Sequence, residues 1–425
     1  MARYLLISSA GGLLFFLYVS FIQPNNSYMG MVPLSLDAPW VFLWTLWNAI
    51  TAMLMPHRLR KPSDCFPMIY SLFVLMTGAV TWGASGVLSI EDGVILLTFL
   101  VASIVVYKLF VVGCGYFIKT CFPIPYLANI SSYAVPAFVL LMIGVMAGIA
   151  SGQVGSFGIQ DSYARRILGR ENFPVGAPVS YIFTMVLNGV APFIAFFGAS
   201  KKRYWLLLPA FAFSIYAYWL IGTKAPVLSV ALLAYVGYYF RTSSRSRIPM
   251  GVLLCIFLLF LVASAEYVIT GYSYIADYFV RRAFAVTGQL QGVYANYILH
   301  SMDFAEWMIG SSSLKGQAVS LFIGQLYFRN EYTNANTNML LYTLVQQGVI
   351  GWAVALLFIA VVFSILDRLY IVRNAREAMG VGFLYALLLA EQSYSTAFVS
   401  SGVGVILVLI IFFRLKKKGF PSLSA

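Results

Sequence analysis

A chain of 425 residues that is 61% hydrophobic and only 10% charged has too little polar surface to stay soluble as a globular domain, and a mean hydropathy of +0.86 says the same. The net charge of +13 invites a nucleic-acid reading, yet the basic residues fall in the connections between apolar runs, which is the pattern of membrane orientation. The apolar runs approach or exceed the ~20 residues a helix needs to cross a bilayer and lack the ~10-residue alternation of a barrel, so the expected fold class is an all-α polytopic membrane protein.

Hydropathy places spans at 4–22, 38–55, 66–90, 93–117, 128–151, 178–199, 204–222, 225–240, 248–270, 339–366, 379–395 and 398–413, twelve in a single membrane domain, 1–425. The first run begins like a signal peptide but has no convincing small-residue cleavage site before Gln23, and it reads as a retained helix. Cys65, Cys114, Cys121 and Cys255 match no metal-site spacing and are expected as buried or cytoplasmic thiols.

Alternating the spans with the N-terminus inside collects most of the 27 lysines and arginines on one face, among them Arg58, Arg60, Lys61, Lys201, Lys202, Arg203, Arg373 and Lys416. That face is expected to be cytoplasmic, with both termini on it. The other face keeps Arg165, Arg166, Arg170, Lys224, Arg281, Arg282, Lys315 and Arg329. Positive charge there opposes the orientation signal, so these residues either have a task or are paired locally. They gather in two long outer connections, 152–177 and, between the ninth and tenth spans, 271–338. A loop as long as the second should contain helices of its own. Val319, Phe322, Ile323 and Leu326 recur at helical spacing within 316–327, as a stripe for the outer leaflet, a cavity cover or plain packing.

Three constellations could carry chemistry. The arginines offer fixed forks of donors that suit a diphosphate: Arg165, Arg166 and Arg170 in the first outer loop, and Arg281-Arg282 after a tyrosine-rich stretch in the second. Gly222-Thr223-Lys224-Ala225-Pro226 is a tight outer turn that holds a lysine between two spans. The run from Arg329 through Glu331 and Asn334 to Asn336 and Asn338 offers amides that both donate and accept, as sugar hydroxyls require, although asparagines also cap helices. Glu391 stands near the outer end of the eleventh span, where a carboxylate is costly and a functional candidate by default. No metal-ligand cluster, phosphate-binding glycine loop or nucleic-acid motif is evident.

The twelve expected spans, the dominant loop between the ninth and tenth, Arg281-Arg282-x-Phe284, the Gly-Thr-Lys-x-Pro turn and the Asn-x-Asn-x-Asn run ahead of Gly348-x-x-Gly351 together resemble the Wzy-type O-antigen (oligosaccharide repeat unit) polymerases. Some members carry an Arg, ten residues, Gly spacing in both large outer loops, and Arg165 with Gly176 and Arg281 with Gly292 reproduce it. The chain is similar also to the O-antigen ligases, which have a catalytic histidine ahead of the asparagine preceding the tenth span. Thr337 stands before Asn338 here, and that departure favours the polymerase.

The resemblance implies a GT-C-like fold in the bacterial inner membrane and a glycosyltransferase that needs no metal or other cofactor. It would join undecaprenyl-diphosphate-linked oligosaccharide repeats, donor and acceptor, on the periplasmic side, with room for a chain-length regulator as partner and none for nucleic acid. Arg281, Arg282, Arg165 and Arg166 would meet diphosphates, supported by Arg170, Lys224 and Arg329, while Asn336 and Asn338 would hold sugar. The base that takes the acceptor proton stays open between Glu331 and Glu391. Besides the ligase, the alternative is a lipid-linked oligosaccharide flippase, which predicts two similar halves; the sequence shows no evident internal repeat.

Overall fold

The computed structural model describes residues 2–34, 37–121, 128–130, 132–153, 155–157, 165, 168–169, 171–173, 177–242, 247–329 and 333–415. Among these, the regular structure is helical except for a short parallel strand pair, Ala128–Ile130 beside Phe413–Leu415. In order, the helices are α1 (Ala2–Leu17), α2 (Ala38–Leu54), α3 (Cys65–Ile69), α4 (Gly78–Ser85), α5 (Ile90–Cys121), α6 (Ala134–Ala150), α7 (Pro178–Met185), α8 (Ala191–Ser200) and α9 (Leu207–Ile221). There follow α10 (Ala225–Thr242), α11 (Ile248–Thr270), α12 (Val286–His300), α13 (Phe304–Ile309), α14 (Val319–Phe328), α15 (Met339–Val372), α16 (Glu377–Leu389) and α17 (Val403–Phe412).

Local sequence explains several boundaries. Pro39, Pro178, Pro192 and Pro249 occupy first turns, where the missing N–H costs nothing. Gly222 and Gly271 end α9 and α11 in the left-handed conformation. Six helical stretches are long and apolar enough to cross a membrane: Ala2–Met29, Ile90–Lys119, Pro178–Ser200, Tyr204–Ile221, Ile248–Thr270 and Met339–Val372. The protein is therefore a multi-pass membrane protein by composition and helix length. Of the cysteines, Cys65 is buried, Cys114 is half-buried and Cys255 is exposed on a long apolar helix.

Two compact units are interleaved along the chain. The first comprises Met1–Gly115, Arg245–Ser364 and Ala386–Tyr394. In it α1 packs along α11, where Tyr267 meets the rings of Phe16 and Phe21 and donates to the Ser20 carbonyl at 2.9 Å. The second comprises Tyr116–Ser244, Ile365–Tyr385 and Ser395–Ala425. In it α8 packs against α10, Phe196 meets Phe240, and Lys201 reaches the buried Glu377 carboxylate at 2.8 Å.

Within the first unit, the stretch 271–338 holds helices of its own. Its first part is a helix that opens in π form at Ala276–Ala285, continues as α12 and is buried along most of its length. It lies parallel to the helical stretch 65–85: Phe284 stacks on Phe73, the Gln291 amide donates to Val74 O and Thr77 Oγ1, and Asn296 donates to Val87 O. His300 then pairs with Asp92 at 3.2 Å. Gly288 and Gly292 make this approach possible, since a Cβ on Gly292 would lie 2.5 Å from the Ser85 side chain. The expected helix over 316–327 forms as α14. Val319, Ser320, Ile323 and Gly324 are its buried face, and Leu326 of the expected stripe is exposed.

Candidate functional site

The turn that introduces Arg281 and Arg282 is tightly specified. After Gly271, Ser273 Oγ accepts from the Ala276 N–H at 2.9 Å and donates to Glu266 Oε2 at 2.7 Å, while the same carboxylate oxygen accepts from the Ile275 N–H at 3.1 Å. Glu266 is thereby committed to holding the turn. The π-helix begins there, and a ten-residue π segment is a rare conformation of a kind frequently found at functional sites. The two other π segments of this unit, Tyr18–Ile22 and Tyr70–Leu75, both pack against it, the second through the Phe73–Phe284 stack at 5.6 Å.

On this π-helix Arg281 is oriented rather than loose. Its Nε donates to Asp277 Oδ1 at 2.8 Å and to the Asp277 carbonyl at 3.1 Å. Its Nη1 faces Met29 Sδ at 3.5 Å, a weak acceptor that a phosphate oxygen would readily outcompete. The other oxygen of Asp277 accepts from the Tyr272 hydroxyl at 3.1 Å. Burial and the nearby Asp277 carboxylate push the Tyr272 phenol up from its ordinary pKa. Arg282 is exposed, and its positive charge acts on the carboxylate of Glu391, which is also exposed. Glu391 sits in a turn just past α16 that Tyr70 holds by donating to the Leu389 carbonyl at 2.8 Å. Thus Tyr272, Asp277 and Arg281 form one hydrogen-bonded set, and Arg282, next along the same helix, acts on Glu391. A guanidinium beside a carboxylate can neutralise an anionic leaving group while the carboxylate accepts a proton.

The other sequence-predicted residues are distributed as follows. Asn338 is buried and caps α15, its Oδ1 accepting from the Leu340 and Leu341 N–H groups at 3.2 and 3.3 Å. Asn336 is exposed two residues earlier. Arg329 is exposed and ends α14 in the left-handed conformation, with φ 51°. Glu331, Arg166 and Arg170 lie outside the described residues. In the second unit Arg165 is buried, donates through Nη1 to Ser156 Oγ at 2.5 Å and lies over the Tyr218 ring, 5.4 Å from its centre. Gln153 ties it to the end of α9 by donating to the carbonyls of both Arg165 and Leu220, at 3.2 and 2.7 Å. Lys224 follows two residues after the Gly222 cap of that helix, so the first arginine loop and the Gly-Thr-Lys-x-Pro turn meet at one helix end.

No protein-family model, curated protein or solved structure matches the chain. Sequence reasoning named Arg281, Arg282 and Glu391 but not Asp277 or Tyr272 as parts of the site. Asp277 stands four residues before Arg281, a spacing that signals an ion pair on any helix. Among the described residues, no cluster of three or more His, Cys, Asp and Glu side chains is placed to hold a metal ion.

Proposed function

We propose that the protein is an O-antigen polymerase of the Wzy type, a glycosyltransferase that joins lipid-diphosphate-linked oligosaccharide repeats at the outer face of a bacterial inner membrane. The observation that carries this reading is the Arg281-Arg282 pair on a π-helix, one guanidinium oriented by Asp277 and the other beside Glu391. Arg281 and Arg282 grip the diphosphate of the donor, and Glu391 takes the proton from the acceptor hydroxyl as the glycosidic bond forms. The lipid diphosphate leaves with its charge balanced by the two guanidinium groups. Arg165, stacked on Tyr218, serves a lipid diphosphate as well.

The same reading takes twelve crossings in a GT-C-like arrangement. Six are the long helices; the others are the shorter apolar helices at 38–54, 134–150, 225–241, 377–389 and 403–412 and the broken stretch 66–90. Both termini are cytoplasmic, and 271–338 faces the periplasm together with any chain-length regulator. Purified protein in lipid nanodiscs, given synthetic undecaprenyl-diphosphate-linked repeats, should release undecaprenyl diphosphate and extend the saccharide. Transport of the repeat without bond formation, or transfer only to a lipid A core, would overturn the reading.

A further inference from the structure

Four aromatic side chains stand exposed immediately before the arginine pair: Tyr272, Tyr274, Tyr278 and Phe279. Three of them form an ordered surface. The Tyr274 and Tyr278 rings are parallel to within 3°, with centres 6.4 Å apart, and Tyr272 meets Tyr274 edge-on at 4.9 Å. Tyr272 is itself braced from below by the buried Phe21 ring at 5.0 Å. A hydrogen-bonded relay joins this surface to the cation, from the Tyr272 hydroxyl through Asp277 to Arg281 Nε.

We infer that Tyr272, Tyr274 and Tyr278 are a stacking platform for the sugar ring attached directly to the diphosphate that Arg281 binds. The inference rests on the polymerase reading above and adds the part of the substrate that this surface takes. A pyranose presents a face of polarised C–H groups that lies flat on an aromatic ring, and the phenol hydroxyls reach its edge. With Tyr272 braced by a buried ring and Tyr274 packed on Tyr272, the surface loses little freedom when a sugar docks. The sugar next to the diphosphate is the group that must lie beside Arg281, and the platform is the aromatic surface the fold puts there. An interfacial belt of tyrosines would need neither parallel rings nor a tie to the cation.

Binding of farnesyl diphosphate, and of farnesyl diphosphate carrying one glucose or one N-acetylglucosamine, to the full-length protein in nanodiscs tests this. The better of the two sugar-bearing probes should bind roughly tenfold tighter than the bare lipid diphosphate, a gain of the size expected for stacking on two rings. The double variant Tyr274→Ala with Tyr278→Ala should lose that ratio and keep its affinity for farnesyl diphosphate, which also reports that it is folded. Tyr274→Trp should retain the ratio. A wild-type ratio near one, or a ratio that survives in the double alanine variant, overturns the platform while leaving the diphosphate site standing. Failure of the wild type to bind farnesyl diphosphate at all overturns the reading beneath it.

Discussion

Arg281 has two ends that could serve a ligand, and the structure spends one of them. With Nε held by the Asp277 side chain and carbonyl, Nη1 meets the Met29 thioether, a weak acceptor that a phosphate oxygen can replace. Lysine has neither the fork nor the second bond to Asp277. Arg281→Lys should therefore lower kcat/KM for repeat transfer by about a hundredfold, the scale of losing one oriented donor at a developing anion. Asp277→Asn keeps the shape and removes the charge, so a smaller loss of about tenfold is expected, seen mainly in KM, because the guanidinium remains but is less firmly aimed. An Asp277→Asn enzyme with unchanged kinetics would show that Arg281 needs no orienting partner. At this scale the sequence was informative about which residues matter and silent about direction. Arg281 and Glu391 stood out because charge is expensive near a bilayer. Their neighbours Asp277 and Tyr272 did not, because a carboxylate and a phenol in a polar stretch attract no notice until the chain has folded around them.

At the scale of elements, polarity misled where burial was internal. The stretch 271–300 looks too hydrophilic for a span, yet α12 is among the most enclosed helices of its unit. Its glutamines and tyrosines are buried by pairing: Gln289 donates to the Met29 carbonyl at 2.8 Å, Tyr294 to that of Ala335 at 2.8 Å, and Tyr297 pairs with Ser311 Oγ at 2.6 Å. Hydropathy cannot see such partners. The Arg, ten residues, Gly spacing acquires a physical meaning here as well, since Gly292 lies against Ser85 and the Thr81 carbonyl of α4 with no room for a side chain. Gly292→Leu should separate the two helices, lowering Tm and transfer activity together.

A second pair of glycines joins α13 to α15. Gly348 interrupts α15 with φ 64° and ψ −166°, and Gly310 follows α13 with φ 103° and ψ 162°; both conformations are essentially closed to other residues. The two backbones meet there, with the Ser311 N–H donating to Val345 O at 2.9 Å and the Met308 carbonyl carbon 2.3 Å from where a Gly348 Cβ would stand. Gly348→Ala should cost about 2 kcal/mol or more from backbone strain alone. Thermal unfolding in detergent would register it as a clear fall in Tm, whereas Gly12→Ala, with open space at its Cβ within α1, should leave Tm unchanged or slightly higher.

For the whole molecule, the distribution of charge makes a prediction about sidedness. Arg58 and Ser313 are both exposed, and the twelve-crossing scheme puts them on opposite sides. In a background with the native cysteines replaced, Ser313→Cys should react with a membrane-impermeant maleimide added to intact spheroplasts, and Arg58→Cys should react only after lysis. The reverse pattern would invert the scheme and remove Arg281 and Arg282 from the periplasm. Composition was enough to place the chain in a membrane, but not to show its division into two units, because neither unit is continuous in sequence. Hydropathy is a local property, and the partition follows from which distant helices touch.

That interleaving bears on how the protein is made. The first unit takes its opening helices from the start of the chain and its closing segment from Ala386–Tyr394, which carries Glu391. The helices of Met1–Gly115 therefore enter the bilayer in a unit that stays unfinished until the much later segment carrying Glu391 has been made. Any premature stop before Ala386 leaves both units without essential parts, so such products should be cleared by membrane proteases rather than persist as half-active fragments.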